Sequence, residues 1–372
     1  MNSRVFSPTL TVDLGAIADN WRLLCGMTAP VKCGAVIKAN AYGLGDTRVV
    51  QTLLRAGCRE FFVAHVEEGA TLKETLGTAW PRDASLHVLN GPDPGSESTC
   101  LAYGLTPVLN SRSQISRWQD LAYGKGRTLP AAIQVDTGMA RLGLAEKPFA
   151  QLMAELDGLA GIAPTLIMSH LASAEEPDNP VNQLQLDRFR RLRQMLPQAK
   201  GCFANSSGIF LGTSYHFDLV RPGAALFGIA PVVGQPNPTQ QVIRVQAQLI
   251  QWRCIASGEG VGYNHTWLAE RPTRIGTVAI GYADGVLRSA SNRARLRLGG
   301  FTVPLIGRVS MDTVTVDLTA VPENLLTAGT MLSVIDDEQG IDSLAQQAGT
   351  NAYEILTSLG SRFQRHYIND NG

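Results

Sequence analysis

A (β/α)8 barrel of the TIM type followed by a C-terminal, mainly antiparallel β domain is the α/β fold that this sequence predicts, on three observations. Short apolar runs alternate with amphipathic stretches from residue 8 to about 230, the mark of strand–helix units on a parallel sheet. A polar stretch with two prolines, Gly234-Gln-Pro-Asn-Pro-Thr-Gln-Gln241, reads as a linker. Beyond it the apolar period changes to two. At 372 residues the chain is too long for one ordinary core and has room for a barrel of about 250 residues or fewer beside a second domain. The domains are placed at 1–235 and 236–372.

In order, the first helix shows Ile17, Asn20, Trp21 and Leu24 at i, i+3, i+4 and i+7. Strand-like runs then recur at 34–38, 61–64, 87–89, 106–109, 131–135, 165–168, 201–203 and 226–228, and eight such runs suggest a closed barrel. A doubly wound open sheet also alternates, but no G-x-G-x-x-G follows the first strand. In the second domain Val245, Ala247 and Leu249 alternate with Arg244, Gln246 and Gln248. Leu296 and Leu298 alternate with Arg295 and Arg297 ahead of a Gly299-Gly300 turn, and Val314, Val316 and Leu318 repeat the period. Short helices are expected near 342–349 and 353–361.

Basic and acidic residues balance at 32 each, so no global field steers the chain toward nucleic acid or a membrane surface, and a small polar substrate is the default. The N-terminal residues hold no apolar segment of signal-peptide length, and no window approaches about 18 apolar residues, so a cytoplasmic protein is expected. The six cysteines are scattered without a C-x-x-C pair, and the six histidines lack H-x-H or H-x-x-x-H spacing. Reduced, mostly buried cysteines and chemistry without a metal are expected.

The chemistry begins at Ala35-Val-Ile-Lys-Ala-Asn-Ala-Tyr-Gly-Leu-Gly45, an apolar run that ends on Lys38 and breaks into a glycine-rich turn. A lysine where a buried strand meets a loop is partly desolvated, which disfavours its ammonium form and leaves an amine able to attack a carbonyl. The alternative is a solvated strand-end lysine. In parallel barrels functional side chains collect where strands end. Here the runs end in Asn40 and Tyr42, in Gln134-Val-Asp-Thr-Gly-Met-Ala-Arg141, in Ser169-His170, in Ala204-Asn-Ser-Ser-Gly208 and in Val220-Arg-Pro-Gly-Ala224. Glycine and serine at strand-to-helix turns present N–H groups to a phosphate. A lysine with a phosphate cradle implies pyridoxal 5'-phosphate, an aldehyde cofactor that needs an amine, an anion site and a group near its ring nitrogen.

Seven segments, in order over nearly the whole chain, resemble the alanine racemases among the fold-type III pyridoxal-phosphate enzymes. They are Val36-Ile-Lys-Ala-Asn-Ala-Tyr-Gly43, Asp136-Thr-Gly-Met-Ala-Arg-Leu-Gly143, Asn205-Ser206, Val220-Arg-Pro-Gly-Ala-Ala-Leu-Phe-Gly228, Val261-Gly-Tyr263, Gly281-Tyr-Ala-Asp-Gly285 and Gly307-Arg-Val-Ser-Met-Asp312. The resemblance implies interconversion of L- and D-alanine, feeding D-alanine to cell-wall peptidoglycan or breaking it down. It implies two acid–base groups flanking one carbon: Lys38, and Tyr263 contributed across a homodimer interface. A phenol is normally protonated near pH 7, so the tyrosine's surroundings or the transition state must draw its proton out. A structural tyrosine in a glycine-rich turn is the alternative for Tyr263.

By the same resemblance Arg221 faces the cofactor's ring nitrogen, which stays neutral because arginine does not give up its proton. Arg141 lies beside the phenolic oxygen and the substrate, and His170 stands behind Arg221. Tyr42, Ser206, Gly223 and Ala224 contact the phosphate. Met311 of the partner meets the substrate carboxylate, and Tyr282 and Arg308 line the way in. For His170 a satisfied core histidine, for Met311 a core methionine and for Tyr282 and Arg308 a solvated loop are the alternatives.

Three departures stand out. Gln134 occupies a position where some members carry a lysine modified to a carbamate, and an amide supplies no charge toward Arg141. Leu44 stands where histidine is common, and Asn264-His265 where a glycine follows the tyrosine. Ser361 precedes Arg362 where some members have tyrosine, and the smaller group suggests tolerance of serine. Two other functions compete: a lyase or decarboxylase on the same cofactor, which wants a cysteine acid in place of Tyr263, and a cofactor-binding protein without turnover.

Overall fold

The computed structural model describes residues 8–327 and 329–370. They divide into two units, Ile17–Gln240 and the described residues up to Ala16 together with those from Gln241 on.

The unit Ile17–Gln240 is built on nine parallel strands among the described residues. Their order is Lys32–Cys33, Leu219–Val220, Lys200–Cys202, Ile162–Met168, Leu129–Gln134, Thr106–Leu109, Ser85–Val88, Glu60–Val63 and Ala35–Val36. The first and last of these are one stretch of chain, broken only at Gly34. It pairs with Leu219–Val220 on one edge and Glu60–Val63 on the other, so the sheet runs round into a barrel of eight staves. Staves such as Phe61-Phe62-Val63, Pro107-Val108-Leu109 and Ala131-Ala132-Ile133 are buried at every position. That is why they read as unbroken apolar runs. Helices follow the strands, and the predicted stripe of the first one holds, with Ile17, Asn20, Trp21 and Leu24 all buried. Asn20 donates to Leu226 O and Gln240 O and accepts from the Gln240 N–H, tying down the polar stretch after the barrel.

Two expectations need correction. The eighth stave is Leu219–Val220, whereas residues 226–228 fall in and after the 3-10 turn Ala224–Phe227. Both segments are apolar and buried, and the true strand is too short to show a period. The N-terminal strand Thr9–Asp13, placed in the barrel by the 1–235 boundary, instead pairs antiparallel with Ile243–Ile255 and parallel with Gln364–Ile368. Its alternation, with Leu10 and Val12 buried between half-buried neighbours, is the period-two pattern of a sheet with one covered face. The boundary itself falls after Gln240.

In this second unit the sheet order is Phe301–Pro304, Arg295–Leu298, Met331–Ile335, Ile243–Ile255, Thr9–Asp13 and Gln364–Ile368. Thr273–Val278 joins the far half of the long strand and is paired by Val314–Asp317. All these pairings are antiparallel except the one to Gln364–Ile368. A register shift between Leu249 and Gln251 lets one thirteen-residue strand serve two sets of partners. The two short helices are Ile341–Ala348 and Ala352–Ser358. Among the described residues no helix is long and apolar enough to cross a membrane, and no group of three metal-ligating side chains gathers. Four of the six free cysteines are buried.

Candidate active site

Lys38 stands just past a barrel stave: Ala35 and Val36 pair with Phe61 and Phe62, and the Ile37 N–H donates to Phe62 O at 2.8 Å. The chain then does something that the sequence does not announce. Ala39, Asn40, Ala41 and Tyr42 all have positive φ, between 51° and 55°, which makes a left-handed helical turn. For residues with a Cβ this costs roughly 1–2 kcal/mol each, and such strain gathers at functional sites. The turn is held by Ala41 N–H to Ile37 O and Gly43 N–H to Ala39 O, by Asn40 Oδ1 accepting from the Asp46 N–H, and by Glu68 Oε1 accepting from the Ala39 N–H at 2.6 Å. It sends Lys38 out at the end of the stave and turns Tyr42 inward, its ring 4.9 Å from that of Phe227.

The electrostatics suit a nucleophilic amine. Burial, then the nearby Arg141 and Arg221, push the Lys38 pKa below its ordinary value, and Glu68 opposes them. Arg141 belongs to a turn organised by Asp136, whose Oδ1 accepts from the N–H groups of Gly138, Met139 and Ala140. The Gln134 amide donates to Leu142 O at 3.4 Å. Among the described residues Arg141 has no ion pair, so the exposed guanidinium keeps its charge for something else.

Arg221 is buried to 4% exposure. Its Nη1 donates to His170 Nδ1 at 3.0 Å and its Nη2 to the carbonyls of Ser169 and Phe203. Burial, with Arg221, Arg141 and Lys38 in support, holds the His170 pKa well below the usual histidine range, so the imidazole is a neutral acceptor. Gln185, fully buried on the helix Pro180–Gln194, donates to His170 O and Thr137 Oγ1 and knits the two turns together. Sequence reasoning passed over Gln185 and Glu68. The signal for Glu68 was its place three residues after the helix-capping His65. Nothing local marks Gln185.

Beside Arg221, Ser206 Oγ accepts from the N–H groups of Gly223 and Ala225 at 3.0 and 3.1 Å, which leaves its own hydroxyl hydrogen to donate. A Cβ on Gly223 would lie 2.4 Å from Tyr42 Oη, so only glycine lets the tyrosine hydroxyl and this turn come together. Burial pushes the Tyr42 pKa up to about 12, keeping it a donor. Lys38, Tyr42, Arg141, His170, Ser206, Arg221, Gly223 and Ala224 thus gather where barrel strands end. A group with an aldehyde, an anionic end and a ring acceptor fits them. The Arg221 Nε is a buried donor without a partner among the described residues, and the ring nitrogen of such a group would satisfy it. Leu44 is fully buried.

In the other unit the remaining candidates also gather. Gly262 has φ 70°, and its Cα faces the Gly307–Arg308 backbone, setting Tyr263 at the head of the turn Tyr263–His265. Tyr282 N–H and Ala283 N–H donate to Ser310 O and Met311 O, each at 3.0 Å. Asp284, buried, accepts two bonds from Arg362, which also donates to Asp312. The result is one cluster of braced turns from which Tyr263 (68% exposed), Met311 (53%) and Tyr282 (44%) project, with Arg308 half-buried among them. Ser361 is exposed beside Arg362.

Comparison with known proteins covers both units. Residues 12–231 match the family described as "Alanine racemase, N-terminal domain", and residues 242–367 match "Alanine racemase, C-terminal domain". The chain is 48% identical over 359 residues to an alanine racemase of Rhodospirillum rubrum, covering 96% of this chain and 95% of the relative. It is 47% identical to a catabolic alanine racemase of Agrobacterium fabrum, over 96% and 92%. Among solved structures, that of an alanine racemase from Bartonella henselae with covalently bound pyridoxal phosphate superposes with a TM-score of 0.92 at 41% identity. The match covers 97% of this chain and 99% of that one. The biosynthetic alanine racemase of Pseudomonas aeruginosa gives 0.89 at 33%, over 98% and 99%.

Proposed function

This chain belongs to the alanine racemase family, and from that premise we propose that it interconverts L- and D-alanine with pyridoxal 5'-phosphate held on Lys38. The observation that carries the cofactor is the partnerless Nε of Arg221 in the same strand-end cluster as a depressed lysine amine and the Ser206–Gly223 cradle. When bound, pyridoxal phosphate supplies the electron demand that makes the amino acid's Cα–H acidic. Lys38 Nζ would hold the cofactor, and Tyr42, Ser206, Gly223 and Ala224 its phosphate.

The chain's own groups do the rest. Lys38 Nζ and Tyr263 Oη take and return the Cα proton from opposite faces, each acting as base in one direction and acid in the other. The lowered basicity of Lys38 suits it to both roles. Arg221, oriented by His170 and Ser169, keeps its proton, so the acceptor at its Nε stays neutral and electron withdrawal from Cα is restrained. Arg141 and the backbone at Met311 orient the substrate carboxylate. Tyr282 and Arg308 line the approach.

Tyr263, Met311 and Tyr282 are exposed large side chains on one cluster, which supports a surface that completes the site of a second copy. We read the protein accordingly as a cytoplasmic homodimer with sites built in trans. Likeness to the catabolic alanine racemase of Agrobacterium fabrum favours breakdown of alanine over supply of D-alanine for peptidoglycan. Ser361 leaves room for serine as a side substrate. The test is direct: the purified protein gains visible absorbance with pyridoxal phosphate and racemises alanine, and Lys38→Ala does neither. Racemisation by Lys38→Ala at the wild-type rate would end this reading.

A further inference from the structure

Glu68 uses its two carboxylate oxygens differently. Oε2 accepts from the N–H groups of Ala64 and His65 at 2.7 and 3.1 Å, which caps the helix Val66–Leu76 in the ordinary way. A cap needs no more than that. Oε1 reaches back across 29 residues to the Ala39 N–H at 2.6 Å, the amide that immediately follows Lys38. That amide opens the left-handed run Ala39–Tyr42, and the side chains of Ala39 and Asn40 are exposed, so packing does not hold the first half of this costly turn.

We propose that Glu68 is a positioning residue for Lys38: it clamps the amide after the lysine to the helix Val66–Leu76, holds the left-handed turn, and so fixes the direction in which the amine leaves its stave. The inference rests on the reading of Lys38 as the amine that takes pyridoxal phosphate. A second consequence is electrostatic. Four charged or titratable groups act on Lys38: Arg141 from the 136–141 turn, Arg221 after Leu219–Val220, His170 after Ile162–Met168, and Glu68. His170 is held neutral, and Arg141 and Arg221 both favour the free amine, leaving Glu68 as the negative member of the set. Removing its charge moves the Lys38 titration to lower pH.

The test uses full-length Glu68→Ala and Glu68→Gln proteins, freed of cofactor and titrated with pyridoxal phosphate over a pH series. Absorbance reports the condensation, in which Lys38 Nζ bonds to the aldehyde carbon and one water leaves. Hydrogen exchange of the 37–45 segment and alanine kinetics accompany it. Loss of a charge-assisted hydrogen bond at the turn is expected to speed exchange of that segment by about tenfold or more in Glu68→Ala. The strand Leu129–Gln134 should be untouched. kcat is expected to fall about tenfold with little change in KM, because the amine is misdirected and substrate contacts persist. In both variants the pH midpoint of condensation moves down, and Glu68→Gln, which keeps an acceptor oxygen, recovers part of the exchange protection. An unmoved midpoint with unmoved exchange overturns the proposal, and so does loss of protection throughout the barrel, which would make Glu68 a general support. If the wild-type protein takes up no cofactor at Lys38, the functional reading fails first, and this inference with it.

Discussion

Arg221 Nη1 donates to His170 Nδ1 at 3.0 Å, so the imidazole is an acceptor at the nitrogen facing the guanidinium and any ring proton sits on Nε2. The two residues lie 51 positions apart in the chain and follow different barrel strands. Their contact aims a buried cation whose Nε–H has no partner among the described residues.

A pH dependence of stability follows from the same contact. Burial and three neighbouring cations hold the folded-state pKa of His170 well below the value of about 6.5 found in unfolded chains. The stabilisation from the neutral ring is therefore complete above about pH 6.5 and is lost as pH falls through the depressed folded value. Urea midpoints should drop between about pH 7.5 and about pH 5.5 in the wild-type protein, and drop less in His170→Asn. Parallel curves for the two proteins would show that His170 carries none of the dependence.

The Gly223 turn is expected to tolerate no side chain. In Gly223→Ala the new Cβ meets Tyr42 Oη at 2.4 Å and Cζ at 3.1 Å, and Tyr42 is itself wedged against Phe227. Overpacking of this kind costs about 1–3 kcal/mol, visible as a lowered Tm. If the turn cradles the phosphate, affinity for pyridoxal phosphate falls by about tenfold or more, one decade being about 1.4 kcal/mol. A variant with unchanged affinity places the phosphate elsewhere.

Substrate breadth can be read at Ser361. Turnover of both enantiomers of serine and alanine by the wild-type protein, compared with Ser361→Tyr, should show serine kcat/KM falling about tenfold relative to alanine as the larger group narrows the site. Absence of any serine turnover by the wild-type protein removes the idea.

How much of this was legible in the sequence depends on how local its cause is. The parallel staves announce themselves because strands buried on both faces are continuous apolar runs, and Leu10-x-Val12 could have been read by its alternation had its partners not lain some 230 or more residues away. Leu219–Val220 is two residues long and has no period to read. The place of Lys38 at the end of a stave was legible from its apolar lead-in. The left-handed turn after it was not, since Ala-Asn-Ala-Tyr contains no glycine and the conformation is imposed from outside, by Glu68 and Asp46. Gln185 acts through long-range hydrogen bonds that leave no trace in local spacing; the spacing of Glu68 from His65 marks only its capping bond, not its reach to Ala39.

The central claim is that one amine and one phenol, from different copies of the chain, serve a single carbon. Co-expression of Lys38→Ala with Tyr263→Ala measures this most directly, since each variant alone lacks one of the two groups. Random pairing makes about half of the dimers mixed, each with one intact site of two, so about a quarter of wild-type racemisation should return. Recovery of none, from mixed dimers verified to have formed, would contradict the account.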